Sequence, residues 1–237
     1  MMTQLDLITH SFTDCQAQAS ALAEHIAERL REGLAARGNA VLAVSGGSTP
    51  KDFFACLSRE KLDWAKVKIT LVDERWVAEG DARSNAGMVR ARLLQHEASA
   101  ATLVPLYTPT ATPEDGLDEV TARITALPRP FDAVVLGMGE DGHTASFFPG
   151  GDHLAEAIDP HGNAPLWPMR APGAGEPRMT FSLPALLQSR ALYLLITGHA
   201  KRDLLADARL GLGAARHYPI RAVLTQSQVP VSVYWCP

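Results

Sequence analysis

Short apolar runs alternate with segments of helical periodicity along most of the chain, and this alternation limits the folds that the chain can adopt. Each run is too short for an ordinary helix and suits a strand that is buried on both faces. A glycine-containing or charged turn follows most of them. The predicted strands lie at residues 40–44, 67–72, 103–106, 131–136, 191–197 and 229–235.

Helical segments fill the spaces between these predicted strands. Residues 16–37 have one apolar residue every four positions, which predicts a helix with a single buried stripe; the stripe is Leu22, Ile26, Leu30 and Leu34. Ser84 and Thr112 are typical caps for two further helices, and Thr49 is predicted to cap another with Pro50 in its first turn. These helices are predicted at residues 50–57, 84–94, 113–127 and 199–210.

Strands that alternate with helices predict an α/β fold with a mostly parallel sheet and helices on both faces. Residues 149–177 are rich in glycine and proline, so we expect long loops there over one end of the sheet. The sequence has no internal repeat, low-complexity tract or convincing linker. We therefore predict that residues 1–237 form a single domain.

Composition argues against several classes of protein. The formal net charge of -4 disfavours nucleic acid or an anionic membrane as the main partner. No apolar run approaches the roughly 18 residues of a membrane span, and residues 1–15 lack the pattern of a signal peptide. Three widely spaced cysteines without a CxxC pair argue against a disulfide framework and predict a reducing cytoplasm. The eight scattered histidines predict no metal site.

Four polar or glycine-rich segments follow predicted strands, at residues 45–49, 73–76, 137–143 and 197–201. In open α/β sheets, ligands bind beyond the carboxyl ends of the strands. Because all four segments fall at such ends, we predict that they meet in one site.

The first segment, Ser45, Gly46, Gly47, Ser48 and Thr49, combines small residues with two nearby hydroxyl donors at the predicted start of a helix. Backbone N–H groups at such a position favour an anion. The pattern is neither the dinucleotide-binding GxGxxG nor the P-loop GxxxxGK[ST]. It predicts a phosphate site, and a simple strand-to-helix turn remains the alternative.

The segment at residues 137–143 contains the candidate acid–base group, His143. Histidine has an unperturbed pKa of roughly 6.5, which suits proton transfer near neutrality. Asp141 lies two residues earlier and could fix the tautomer of the ring. The alternative is a loop histidine that is hydrogen-bonded to backbone.

Three basic residues are candidates for binding an anion. Arg75 ends a predicted strand and could hold a phosphate bidentately or steady a developing oxyanion. Lys201 begins a predicted helix, and Arg178 precedes a short apolar run. Each could instead be an ordinary surface charge, and a pair between Asp73 and an arginine could simply tie two loops together.

Together these segments resemble the 6-phosphogluconolactonase family. Its motifs occur in order as SGGSTP at 45–50, DERWV at 73–77, SN at 84–85, GMGEDGHTASFFP at 137–149 and TGHAK at 197–201. The stretch at 141–149 is the most specific. The resemblance implies a Rossmann-like, mostly parallel sheet between helices, the fold that this family shares with glucosamine-6-phosphate deaminases.

The resemblance also implies the reaction: hydrolysis of 6-phospho-D-glucono-1,5-lactone to 6-phosphogluconate in the oxidative pentose phosphate pathway, with no metal or organic cofactor. His143 would take a proton from the attacking water and return it to the ring oxygen, and Asp141 would orient His143. Arg75 is the third catalytic candidate. The expected partner is this small molecule alone, and a monomer is preferred. The residues expected to bind substrate are Gly46, Gly47, Ser48, Thr49, Asp73, Arg178 and Lys201.

Two other functions remain to be weighed. The deaminases have Asp-Glu-Tyr where this chain has Asp-Glu-Arg at 73–75, and a glutamate that assists ring opening follows their histidine motif. Residues 144–149 of this chain contain no acidic side chain, which favours the lactonase. A non-catalytic sugar-phosphate sensor is the alternative from a different class, and the intact Asp-Gly-His at 141–143 argues against it.

Overall fold

The computed structural model describes residues 7–237. Their strands, in chain order, are β1 (Ile8–Ser11), β2 (Ala40–Val44), β3 (Val67–Leu71), β4 (Asp73–Arg75), β5 (Thr102–Val104), β6 (Ala133–Leu136), β7 (Leu166–Met169), β8 (Arg178–Phe181), β9 (Leu192–Thr197) and β10 (Val231–Cys236). The α-helices are α1 (Cys15–Arg37), α2 (Lys51–Leu57), α3 (Asn85–Arg92), α4 (Pro113–Thr125), α5 (Leu154–Ala157), α6 (Leu183–Leu187), α7 (His199–Leu210) and α8 (Arg221–Leu224).

The main sheet is parallel throughout and runs in the order β1-β10-β9-β6-β2-β3-β5. All five residues of β2 and all four of β6 are buried. Because successive side chains of a strand point to opposite faces, this burial requires cover on both sides of the sheet. The predicted α/β architecture, with a mostly parallel sheet flanked by helices, is confirmed.

The predicted helices and their caps are largely confirmed. Leu22, Ile26 and Leu30 of α1 are fully buried, so the four-residue spacing marks the face that packs on the core. The Ser84 hydroxyl caps α3 by accepting from the backbone of Gly87. Thr112 and Asp115 cap α4 with reciprocal side-chain bonds to each other's backbone N–H.

The predicted start of α2 is wrong by one residue. Pro50 is the N-cap rather than the first helical residue, and no side chain makes a capping hydrogen bond there. Thr49 therefore does not cap α2. The helix is also short, and residues 45–50 form a loop with a turn in front of it.

A second, antiparallel sheet replaces some of the loops that we expected in residues 149–177. Strand β7 and the short helix α5 lie in this segment, and β7 pairs with β8, which in turn pairs with β4. The sequence hides these strands because β4 consists of three charged residues and β7 contains Pro168. Proline is tolerated at the edge of a sheet, which is where β7 lies.

The expectation that the cysteines stay unpaired is wrong in this structure. Cys15 and Cys236 form a disulfide across 221 residues of chain, with their Cα atoms 5.4 Å apart. Gln18 explains the proximity, since its side-chain amide donates to the backbone of Tyr234 and so docks the start of α1 beside the end of β10. Cys56 is the free cysteine.

The site predicted at the strand ends falls where the order of the main sheet reverses direction. Strand β2 pairs with β3 on one side and with β6 on the other, so the loops after β2 and β6 diverge and leave a crevice. The Ser45 hydroxyl closes its floor by donating to the Val135 carbonyl and accepting from the Gly137 N–H, both at 3.0 Å.

No helix within residues 7–237 is long and apolar enough to cross a membrane. The segment that we judged unlike a signal peptide, residues 1–15, lies in part outside the described residues, because these begin at position 7.

The disulfide predicts the number of reactive thiols. Unreduced protein unfolded in denaturant should contain one titratable thiol, that of Cys56, and three after reduction. Cys15→Ser should lower the free energy of unfolding by about 2–4 kcal/mol, because the unfolded chain regains conformational freedom. Cys56→Ser is the matched control and should change it by less than about 1 kcal/mol. Three thiols without reductant would contradict the pairing.

Candidate active site

A cleft of about 210 Å³ lies at the carboxyl ends of β2 and β6. Nine of the ten residues predicted for the site line it, and the tenth, Asp141, stands behind His143. Six further residues line the cleft: Ser45, Asn85, Gly137, Met138, Gly139 and Ala145.

His143 is held by Asp141 in the loop after β6. The ring atom Nδ1 lies 2.6 Å from Asp141 Oδ1, and the His143 backbone N–H donates to the same oxygen at 3.1 Å. The ring also stacks on Phe148, with 4.3 Å between the ring centroids. With the Nδ1 proton directed at the carboxylate, Nε2 carries the lone pair. This is the arrangement that a general base requires.

Glycines shape the histidine loop. A side chain at Gly139 would put its Cβ 2.2 Å from His143 Nδ1, so only glycine allows the ring to pack there. Gly142 has a φ of +74°, and its missing Cβ would lie 2.4 Å from Tyr218. The loop is closed by the Thr144 hydroxyl, which donates to the Gly137 carbonyl.

The glycine-serine loop uses its two glycines for different reasons. A Cβ at Gly46 would lie 1.8 Å from Asn85 Oδ1, so this residue lets the loop pass close to α3. Gly47 has a φ of +97° and open space beside it, so it supplies a left-handed turn. The loop thereby bends into the cleft, where Ser48 and Thr49 also lie.

Asp73 and Arg178 form the pair that we considered as a tie between loops. Arg178 Nη1 lies 3.4 Å from Asp73 Oδ2, and the Ser146 hydroxyl donates to the same oxygen at 2.6 Å. Arg178 also donates to the Ala174 carbonyl. Burial lowers the pKa of the Arg178 guanidinium, whereas Asp73 raises it. Both side chains line the cleft, and the buried Nε of Arg178 has no hydrogen-bond partner.

Arg75 and Lys201 are different, because neither has a carboxylate within 4.0 Å in the described part of the chain. Arg75 Nη1 donates to the Arg83 carbonyl at 2.6 Å and to Asn85 Oδ1 at 3.2 Å. Its buried Nε has no hydrogen-bond partner. Lys201 lies in the first turn of α7, whose N-cap Gly198 is held by the Cys236 carbonyl. Two uncompensated positive charges therefore face the cleft.

Sequence reasoning missed the roles of Asn85 and Glu74. Asn85 is the first residue of α3, and its buried amide donates to the Asp73 carbonyl and accepts from Arg75. Glu74 is fully buried behind the cleft wall. Burial raises the pKa of Glu74, and backbone N–H bonds from Asn85, Ala86 and Arg75 oppose that effect. The Ser-Asn motif at 84–85 was the one feature of the sequence that pointed to Asn85. Motif spacing alone does not reveal the contacts that Asn85 and Glu74 make.

Among residues 7–237, no group of three or more His, Cys, Asp or Glu side chains is arranged to hold a metal ion. The cleft brings together a histidine held by a carboxylate, cations that suit an anion, and a loop of small residues. These groups suit acid–base chemistry on an anionic ligand.

Two glycine substitutions should separate backbone strain from steric overlap. Gly47→Ala meets only the cost of a left-handed conformation, about 1–2 kcal/mol. Gly142→Ala adds a collision with Tyr218, so the total loss of unfolding free energy should reach about 2–5 kcal/mol. Urea denaturation of the two variants checks the order. Equal losses would mean that Tyr218 moves aside freely.

Comparison with known proteins identifies the family. The family model described as "Glucosamine-6-phosphate isomerases/6-phosphogluconolactonase" matches residues 13–235. The 6-phosphogluconolactonase of Rhizobium meliloti (strain 1021) is 48% identical over 228 residues, which cover 96% of this chain and 98% of the relative. That of Mesorhizobium japonicum is also 48% identical over 228 residues, covering 96% of this chain and 94% of the relative.

A solved structure gives the same result. The crystal structure of a 6-phosphogluconolactonase from Shewanella baltica OS155 superimposes with a TM-score of 0.92 at 41% identity, and the match covers 98% of each chain. The resemblance stated from the motifs is thus confirmed over nearly the whole length. The chain belongs to the glucosamine-6-phosphate isomerase/6-phosphogluconolactonase family.

Proposed function

We propose that this chain is a 6-phosphogluconolactonase, which hydrolyses 6-phospho-D-glucono-1,5-lactone to 6-phosphogluconate in the oxidative pentose phosphate pathway. The observation that carries the proposal is the Asp141–His143 pair in a cleft that also holds the unpaired cations Arg75 and Lys201. The names of its relatives support the same activity. A lactone is an activated ester, so a positioned base and a bound phosphate meet its main chemical needs.

The segment after His143 supports hydrolysis rather than deamination. Residues 144–149 contain no acidic side chain that could assist ring opening. Their hydroxyls are used inside the protein, Thr144 on the Gly137 carbonyl and Ser146 on Asp73. A glucosamine-6-phosphate deaminase would need a carboxylate that this segment does not supply.

The proposed reaction runs through one protonatable group. His143 Nε2 accepts a proton from water as the water oxygen bonds to the lactone carbonyl carbon, giving a tetrahedral oxyanion. The bond between that carbon and the ring oxygen then breaks, and His143 returns the proton to the ring oxygen. Asp141 keeps the ring in the required tautomer throughout, and Arg75 is proposed to stabilise negative charge at the cleft wall.

Binding of the phosphate group is assigned to the glycine-serine loop and the cations. Gly46, Gly47, Ser48 and Thr49 offer backbone and hydroxyl donors, and Lys201 adds a charge that no described carboxylate neutralises. Asp73 and Arg178 complete the wall as a bonded pair. We propose that Asp73 acts on substrate mainly by holding Arg178, which agrees with its contacts.

We further propose that the protein is a monomer in the cytoplasm and has no nucleic-acid partner. The net charge of -4 supports the last point, and only Ile8, Leu210 and Leu212 are exposed large hydrophobic residues in the described part of the chain. Disulfides are rare in the reducing cytoplasm, so this proposal requires Cys15 and Cys236 to be thiols in the cell. Light scattering on the eluted protein tests the monomer, and thiol counts on protein trapped in cells test the compartment.

His143→Ala should lower kcat by about 10²–10⁴-fold, because the general base is lost. The assay follows acid release from fresh 6-phosphogluconolactone after subtraction of the spontaneous rate, with ammonia release from glucosamine 6-phosphate measured in parallel. His161→Ala, at an exposed histidine outside the cleft, is the control and should leave kcat unchanged. Near-normal kcat in His143→Ala would refute the general-base role.

The same assay separates the alternatives. Ammonia release without lactone hydrolysis would assign the chain to the deaminases. Silence in both assays, while 6-phosphogluconate still raises Tm, would favour the sugar-phosphate sensor.

Lys201→Met should raise KM for the lactone by about 10–100-fold, because one charge-assisted hydrogen bond to the phosphate is lost. We expect kcat to change by less than about threefold, since this contact is equal in ground and transition states. Lys66→Met, at an exposed lysine paired with Asp63, is the control. An unchanged KM would remove Lys201 from the phosphate site.

A further inference from the structure

Glu74 is a buried carboxylate that forms no ion pair with a basic side chain of the described residues. It is the middle residue of β4, so its side chain points to the opposite face from Asp73 and Arg75, which line the cleft. Its exposed fraction is 0%, and no lysine, arginine or histidine within the described residues forms an ion pair with it. A buried charge without such a partner needs hydrogen bonds to offset its desolvation.

Three of those bonds come from the start of α3 and the fourth from Arg75 within β4. Oε1 accepts from the backbone N–H groups of Arg75 and Asn85 at 2.7 and 2.8 Å. Oε2 accepts from the Ala86 N–H at 2.7 Å and from the Ser84 hydroxyl at 3.1 Å. The carboxylate therefore receives four donors and fixes the start of the helix against β4, where the helix dipole also favours negative charge.

The same turn holds the guanidinium of Arg75. Nη1 donates to the Arg83 carbonyl and to Asn85 Oδ1, which are the residues just before and just after the Ser84 cap. Asn85 also packs against the glycine-serine loop, because its Oδ1 occupies the space where a Gly46 Cβ would lie. Neutral acceptors thus orient Arg75 while leaving its charge uncompensated.

From these contacts we propose that Glu74 is a positioning residue, whose carboxylate locks the first turn of α3 so that Asn85 and the Arg83 carbonyl aim Arg75 into the cleft. The inference rests on the proposed lactonase function. Glu74 precedes Arg75 in the sequence, but its carboxylate binds backbone N–H groups and forms no ion pair with the Arg75 guanidinium.

Glu74→Gln is the test, because glutamine keeps the shape but can accept on one side only. The NH2 group of the glutamine must face one of the two donor pairs, where it cannot accept a hydrogen bond. The first turn of α3 therefore shifts, and the Arg75 guanidinium no longer points into the cleft. We expect kcat/KM for the lactone to fall by at least about tenfold, in line with the cost of small displacements in an active site. In an Arg75→Met background the same change should cost less than about threefold, since the group it positions is gone.

Asp132→Asn is the matched control. Asp132 is also fully buried and accepts a backbone N–H, that of Val41, at 2.8 Å, and it pairs with Arg37 at the amino end of the sheet. This variant should lower Tm and leave kcat/KM within about twofold, because it lies away from the cleft. A purely structural Glu74 would behave in the same way.

A second variant covers the case in which Glu74→Gln does not fold. Asn85→Ala removes the amide that links the locked turn to Arg75, and its loss of kcat/KM should likewise shrink to less than about threefold in the Arg75→Met background. Equal losses in both backgrounds, for whichever variant folds, would overturn the proposal.

Wild-type turnover is measured first, so failure of the lactonase assignment is seen separately. The Kd of 6-phosphogluconate, measured by calorimetry, gives the same cycle a readout that does not depend on turnover.

Discussion

The pairing of β2 with β6 at the centre of the parallel sheet is the contact on which the site depends. From β2 the chain first builds outward through β3 and β5, and it then returns to the other side of β2 with β6. The loops that leave the two strands therefore separate, and the space between them becomes the cleft. Ser45 holds the strand ends together beneath it, so the glycine-serine loop and the histidine loop start from one rigid point.

Charge is distributed around this point in a way that the overall charge of -4 does not suggest. Arg178 is partly neutralised by Asp73, and the pair joins β8 to β4. Arg75 and Lys201 have no carboxylate partner within the described residues. Neutral acceptors hold Arg75, and Lys201 lies in the first turn of α7. An anionic ligand thus meets positive charge in a protein whose surface is mildly acidic.

Apolar runs predicted six of the seven strands of the main sheet, because burial on both faces leaves an unambiguous mark, as in β2 and β6. The edge strand β1, Ile-Thr-His-Ser, has no such run and was not predicted. The small sheet is harder to predict, because β4 is charged and β7 contains Pro168. Strand β4 is Asp-Glu-Arg, and its conformation is set by its register against β8, with Arg75 opposite Arg178. Such pairing is a tertiary property that no local pattern contains.

The site shows the same division. Loops at strand ends predicted which side chains meet, because strand polarity fixes where those loops lie. The sequence did not predict what supports them: Glu74 binds a helix start about ten residues away, and Asn85 fills the space beside Gly46. The Cys15–Cys236 bond was hidden for a related reason, since 221 residues separate two cysteines that only the docked α1 brings together.

The place of β1 in the sheet bears on how the chain folds. Within the described residues, β1 pairs with β10 alone, so the strand before α1 joins the strand that comes last among those described. Before β10 docks, β9 presents an open edge on this side of the sheet, and β1 has no strand to join. Unpaired strand edges favour association between chains. Docking of β10 therefore completes two pairings at once, and a folding intermediate without it exposes the edge at which two chains could associate.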